Sequence, residues 1–275
     1  MEPRPIEHEE RAHLRDARGF SPPVHRLVPS PDLADHVRRY WLPVWSLPPG
    51  EVTVQRVLQY PVCLIVVAAD YATMVGPTTG LAVRELTGSG WAVGVMLQPA
   101  AGTVVAGRPV GQLTDRTVPL TESTGLDGER LADDVRRVLG DHAADPDVRM
   151  RAVLVVEEAL RALPPVDQEG RLVNGIVEYV EGSSEVQRVS QVCEKFAITE
   201  RSLQRLTAHR IGLGPKWLIQ RRRLHEAAER LRGPEPPDLA RVAADLGYSD
   251  QAHFTRDFRT VTGLTPGEFA GEPRG

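Results

Sequence analysis

Two stretches toward the C-terminal end repeat one arrangement of apolar and polar positions. Val189, Val192, Cys193 and Phe196 fall at i, i+3, i+4 and i+7, and Leu239, Val242, Ala243 and Leu246 repeat that spacing. Such spacing draws one apolar stripe down an α-helix. A short connector follows in each copy, and its hydroxyl residues, Thr199 and Ser249, are predicted to cap the next helix. Gly247 suits a tight turn with positive φ, whereas Ala197 would be strained there, so the first turn is expected to take a different shape. In the second helix of each copy Leu203 and Leu206, or Phe254, Phe258 and Val261, point inward. Arg201, Gln204, Arg205 and His209 then share the opposite face of the first, and Gln251, Thr255, Arg256 and Arg259 that of the second. Thr199 and Ser249 lie 50 residues apart, while Arg205/Arg256, Gly212/Gly263 and Pro215/Pro266 lie 51 apart, which predicts one inserted residue in the second turn.

A duplicated two-helix unit implies a surface used twice. Each unit reads as a helix-turn-helix, at about 186–211 and 238–262, so the first surface to test is a DNA major groove. The outward residue types fit base edges: Arg can pair bidentately with guanine, Gln with adenine, and Thr can meet a thymine methyl. Ordinary solvated faces are the competing explanation, but two copies in the same order make that weaker. Charge changes the picture in the same direction. Residues 186–233 hold eleven Lys/Arg against four acids, a surplus of seven on a chain whose net charge is −4. A locally basic patch is the expected footprint of a phosphate-binding surface. Between the copies a helix is predicted over 215–232, opening at Pro215 and ending before Gly233-Pro234, with Trp217, Leu224, Ala228 and Leu231 inward. At 1.5 Å per residue it spans about 25 Å, and with the two motif bodies it could bring the second helices near the roughly 34 Å repeat of B-DNA.

At this point the chain resembles the AraC/XylS family of bacterial transcriptional regulators. The resemblance is carried by Leu203-Gln204-Arg205, Gly212-x-x-Pro215, Arg223-Leu224-x-x-Ala227, Ala243-x-x-x-Gly247-Tyr248, Phe254-x-Arg256-x-Phe258 and Gly263-x-Thr265-Pro266-x-x-Phe269, over about 170–270. It implies two helix-turn-helix motifs joined by a linker helix and bound to promoter DNA. The base-facing positions it carries over are Arg201, Gln204 and Arg205 in the first motif, and Gln251, His253, Thr255 and Arg256 in the second. Thr207 stands where the family usually has an aromatic, so looser packing is expected in the first motif. The resemblance also implies a cupin-like N-terminal β-barrel with helices that sense a small molecule or mediate dimerisation.

The rest of the chain divides by texture into three parts: a poorly ordered segment 1–25, a β-rich sensor or dimerisation domain 26–165, and the DNA-binding domain 166–275. Val52–Leu58, Val62–Ala68 and Trp91–Leu97 carry strand signals, broken at short intervals by Pro and Gly. No helix of crossover length separates them, so an antiparallel barrel or sandwich is expected, giving an α+β chain with an all-α C-terminal domain. Helices are predicted at 126–140, 146–163 and near 168–181. The stripe Val153, Leu154, Val156 and Leu160 either packs on the β domain or forms a dimer seam.

Other chemistry finds little support. The chain has no His between His36 and His142, and a metal site needs clustered His, Cys or carboxylates. Gly88-Ser-Gly90-Trp-Ala-Val-Gly94 has the wrong spacing for a phosphate loop and reads as a turn. No nucleophile elbow or Walker-type loop occurs. Cys63 and Cys193 are read as buried thiols, and Glu157-Glu158 as solvated. No enzyme, metal or cofactor is therefore expected, and no apolar run reaches the length of a membrane span. The expected partners are promoter DNA, with RNA polymerase, a small-molecule effector and a second copy as further candidates, in the cytoplasm. An activating role fits the family label, but nothing in the residues separates activation from repression. The alternative is a ligand-binding or enzymatic β domain fused to a helical protein-interaction module.

Overall fold

The computed structural model describes residues 13–14, 22–232 and 238–271. Its N-terminal strands pair antiparallel throughout. β1 (His13–Leu14), β4 (Val52–Val57) and β7 (Ala82–Thr87) form one sheet in the order β1-β4-β7. β2 (Val24–Leu27), β3 (Val37–Ser46), β5 (Leu64–Ala68), β6 (Ala72–Val75), β8 (Ser89–Leu97) and β9 (Thr117–Pro119) form a second, in the order β2-β3-β8-β5-β6-β9. The expected segment 1–25 falls mostly outside the described residues, and β2 already begins at Val24.

The antiparallel β domain matches the expectation from spacing. A closed barrel is not formed among the described residues: the strands stay in two sheets. Prolines flank the edges, with Pro22-Pro23 before β2 and Pro119 in β9. A proline has no N–H to donate to a further strand, so it ends a ladder.

Alternation assigns the two faces of the larger sheet. Ile65, Val67, Val93 and Val95 are buried in the main core, packed with α1 (Ala101–Ala106), α2 (Gly128–Leu139) and α3 (Pro146–Arg161). Their neighbours Leu64, Val66, Ala92 and Met96 face the smaller sheet instead. Between the sheets lies a cavity of ≈ 460 Å³. Trp41 and Trp45 line it, each seated over a glycine of β8: a Cβ at Gly94 would lie 2.0 Å from the Trp41 ring and one at Gly90 2.4 Å from Trp45. The glycines read as a turn therefore divide. Gly88, with φ of 54°, makes the turn, whereas Gly90 and Gly94 make room for tryptophans.

On α3, Val153, Val156 and Leu160 pack on the β domain, while Leu154 remains 51% exposed. Glu157 corrects the solvated reading of the Glu157-Glu158 pair. It is 2% exposed and accepts hydrogen bonds from the Ser30 amide (2.8 Å), the Ser30 hydroxyl (2.6 Å) and Arg161 (3.1 Å). A carboxylate is buried only when it is paired, and Glu157 falls four residues from both Val153 and Arg161, where the apolar stripe meets a cation. Cys63 is buried and Cys193 half-buried, both as free thiols.

The C-terminal part is all helix: α4 (Gln168–Gly182), α5 (Val189–Phe196), α6 (Glu200–Arg210), α7 (Pro215–Leu231), α8 (Leu239–Asp245), α9 (Gln251–Thr262) and α10 (Pro266–Ala270). Asp167, Asp238 and Thr265 cap α4, α8 and α10 by accepting backbone N–H groups, as helix starts require. Two apolar clusters serve the two motifs. One joins α4 to α7 through Val173, Ile176, Leu203, Leu206 and Leu218; the other joins the end of α7 to α8, α9 and α10 through Leu224, Leu231, Phe254, Phe258 and Phe269. Each cluster also takes in residues of the β domain, Ala100 in the first and Leu58, with Leu81 beside it, in the second.

Candidate DNA-binding surface

Each motif is a helix, a turn with one left-handed residue, and a second helix. Ala197 adopts φ 51°, ψ 44°, and Gly247 adopts φ 75°. The expectation that strain would keep Ala197 out of this conformation is overturned, although the turns still differ in length. The geometry of the crossing demands a left-handed residue, and Ala197 takes it despite its Cβ, at about 1–2 kcal/mol.

The first expected cap is in place, with Thr199 Oγ1 accepting from the Ser202 amide at 3.2 Å. The second is one residue further on. Asp250, not Ser249, caps α9, accepting from the His253 amide at 2.7 Å. A carboxylate accepts a backbone N–H more strongly than a hydroxyl, so the acid wins the position. Ser249 instead donates to Asp250 and contacts His253 Nδ1 at 3.1 Å. With Asp250 as cap, the offset of 51 holds from the caps onward. The inserted residue therefore sits in the turn itself, before the cap.

Arg201, Gln204, Arg205 and His209 all lie exposed on α6. On α9 Gln251, His253, Arg256 and Arg259 are exposed and Thr255 is half-buried. On α6 the four residues fall on one face, whereas on α9 Thr255, Arg256 and Arg259 share a face that Gln251 and His253 flank on opposite sides; the two sets sit on separate helices over separate cores. The Gln204 amide donates to Glu200 Oε1 at 3.1 Å, so a carboxylate absent from the expected set stands at the front of that face. His253 packs edge-on against Tyr248, which donates from its hydroxyl to Asp257 at 2.7 Å. Thr207 is fully buried, its hydroxyl donating to the Gln204 carbonyl at 3.3 Å.

The basic patch needs correction. Three of its eleven cations are buried and structural, and two more are engaged within the protein, Arg223 with the Gln187 carbonyl (3.1 Å) and Arg230 with Glu226 (2.7 Å) and Asp245 (2.9 Å). Arg210 is 8% exposed and bonds Asp167 (2.6 Å) and Glu169 (3.2 Å) at the start of α4. Arg222, also 8% exposed, bonds Glu226 and the Val186 carbonyl. Arg221 is 2% exposed and donates to the carbonyls of Thr78 (2.8 Å) and Gly80 (3.1 Å) in the β domain, with the Trp217 ring 4.5 Å from its guanidinium. Sequence spacing held the signal. Arg210 continues the stripe Leu203, Leu206, and Arg221 lies midway between buried Leu218 and Leu224. The inward residues of the linker helix likewise include Leu218 and Ile219, while Trp217 is only half-buried.

Two helix-turn-helix units, each with a polar outward face on its second helix and joined by one 17-residue helix, define a double helix-turn-helix module. Residues 192–272 match the family described as a helix-turn-helix domain. The chain thus carries a helix-turn-helix domain of the AraC type. Residues 25–119, most of the two-sheet region, match a family described as a domain of unknown function, DUF6597. Over 102 residues the chain is 24% identical to an uncharacterized HTH-type transcriptional regulator of Haemophilus influenzae, a match covering 37% of this chain and 34% of that protein. The match thus spans about a third of the relative's length. Among solved structures, ToxT from Vibrio cholerae O395 is similar at 10% identity and TM-score 0.39, over 96% of this chain and 99% of that one. A ToxT structure from strain SCE256 with bound unsaturated fatty acid is similar at 9% identity and TM-score 0.37, over 94% and 95%. At these scores the likeness does not itself define the fold.

Proposed function

We propose that the chain is a sequence-specific DNA-binding transcriptional regulator whose two motifs enter successive major grooves. The observation that carries this reading is the repeated outward face: Arg201, Gln204, Arg205 and His209 on α6, and Gln251, His253, Thr255, Arg256 and Arg259 on α9. Helix N-termini and peripheral cations position the protein on phosphates, and the two faces read base edges. No catalytic step belongs to this reading, and its site of action is the cytoplasm, where promoter DNA and RNA polymerase are. Modulation by a small molecule is supported by the cavity between the sheets. Dimerisation is supported by the exposed Leu154 and Met150 on α3, 51% and 46% exposed. Arg205→Ala and Arg256→Ala should each weaken cognate binding by about 1–3 kcal/mol and relax base preference at one position. Gel shifts on the protein's own upstream region against random DNA read this directly. Unchanged discrimination in both variants, or affinity that is flat across a salt titration, overturns the reading.

A further inference from the structure

The stretch from Leu113 to Leu120 runs into β9 and has no task in DNA binding. In the structure its first residues join three parts of the molecule. Thr114 donates from its hydroxyl to the Gly212 carbonyl at 2.8 Å, in the turn between α6 and α7. Asp115, one of two non-glycine residues with positive φ (57°) among those described, turns its carboxylate to the loop after β6. There it accepts from the Thr79 amide (2.7 Å) and hydroxyl (2.9 Å). That loop is the one whose Thr78 and Gly80 carbonyls receive Arg221 of α7. The same loop forms the rim of the cavity between the sheets, which Thr78 and Leu81 line together with Gln59 and Tyr60. Tyr60 in turn stacks on His225 of α7, ring centroids 4.4 Å apart.

We infer that the Thr114-Asp115 segment is a clamp through which an apolar small molecule held between the sheets shifts α7, and so sets the relative position of the two second helices. The inference rests on the regulator reading and adds its route and ligand class. A largely apolar ligand body follows from Trp41, Trp45, Leu64, Val66 and Met96, which line the cavity, with Arg39, Gln55 and Gln59 among them as polar points on the wall. Arg221 is the releasable end. Its Nε and Nη1 are buried with no hydrogen-bond partner. A buried donor left unpaired opposes the docked state. Burial lowers the Arg221 pKa to about 10, while the nearby Asp115 carboxylate acts in the opposite sense. A contact so incompletely satisfied can be remade by a modest change at the rim, which is what a ligand biasing two arrangements requires.

The test uses the full chain and the uncharged fluorescent probe N-phenyl-1-naphthylamine. Saturable binding is expected, with a change of about fivefold or more in DNA affinity and in amide hydrogen exchange over 215–224. Val66→Phe, which fills the cavity, should abolish probe binding; Ala92→Leu replaces it if that variant does not fold. Arg221→Met and Asp115→Asn should bind the probe like the parent yet transmit neither change; Asn tolerates the left-handed conformation at 115. No saturable binding, binding that survives filling the cavity, or transmission that survives both clamp variants overturns the inference. Exchange is measured without DNA. A probe-dependent change in α7 in a protein that binds no DNA would therefore sink the regulator reading and leave the coupling standing.

Discussion

The two helix-turn-helix units share one backbone plan and fill it with different chemistry. Both place a left-handed residue in the turn, Ala197 or Gly247, and both close the second helix near a left-handed glycine, Gly212 (φ 80°) or Gly263 (φ 77°). Their cores differ. The first is aliphatic, built on Leu203 and Leu206, with Thr207 buried beside them; the second is aromatic, with Tyr248, Phe254, Phe258 and Phe269 in contact around α9. Their anchors differ too. The end of α6 is held by Thr114 and by the Arg210 pairs, whereas the second motif shares its core with Leu58 of the β domain. Spacing is therefore set by the crossing of the helices, and the residues that satisfy it are exchangeable.

The largest expected effect tests whether the cores are independent. Phe258→Ala should destabilise the second motif by about 3–5 kcal/mol, because a fully buried aromatic leaves a cavity. Thermal melting followed with DNA footprinting should show loss of the second motif's half-site while the first persists. Simultaneous loss of both half-sites would mean that the two clusters fold as one.

Exchanging the turn residues sharpens the comparison. Ala197→Gly relieves a left-handed Cβ and should stabilise by about 0.5–1 kcal/mol after the entropy of glycine is counted. Gly247→Ala should destabilise by about 1 kcal/mol or more, since its Cβ would also lie 2.3 Å from the Gln187 side chain. Chemical denaturation of both variants checks the signs. Equal signs would show that the two turns are not equivalent.

The smallest effect separates the caps by pH. The amide of His253 holds the Asp250 carboxyl below its ordinary value of 3.8, with the Ser249 hydroxyl acting the same way. A depressed folded pKa contributes stability above the unfolded value and loses it as pH falls through the folded one. From about pH 4 downward, α9 should therefore fray before α6, whose cap Thr199 does not titrate. Hydrogen exchange along an acid series reads this, and Asp250→Thr should remove the difference between the helices. Fraying of α6 and α9 in step in the parent protein would refute it.

Most of the helical architecture was legible because 3.6-residue periodicity, caps and Pro/Gly punctuation act locally. α7 spans Pro215–Leu231 against an expected 215–232. Long-range pairing was less legible. β3, Val37–Ser46, hides behind Arg38-Arg39 and Pro43, and its interior place in the sheet comes from pairing with β2 on one side and with β8, some fifty residues on, on the other. Two glycines of β8 read as turn residues because the tryptophans they accommodate lie some fifty residues away. In the DNA-binding surface, exposure of the expected residues followed from amphipathicity. The same stripe spacing marks Arg210 and Arg221 as inward, but a charge count does not, because it cannot tell Arg221, bound to two carbonyls, from Arg205 in solvent.

The most direct measurement of the central claim is a footprint at single-base resolution on the cognate operator, comparing the parent with Arg205→Ala and Arg256→Ala. The account predicts two protected major-groove segments about 10–10.5 base pairs apart, with Arg205→Ala weakening one and Arg256→Ala the other. Protection of a single segment, or both substitutions acting on the same bases, would contradict it.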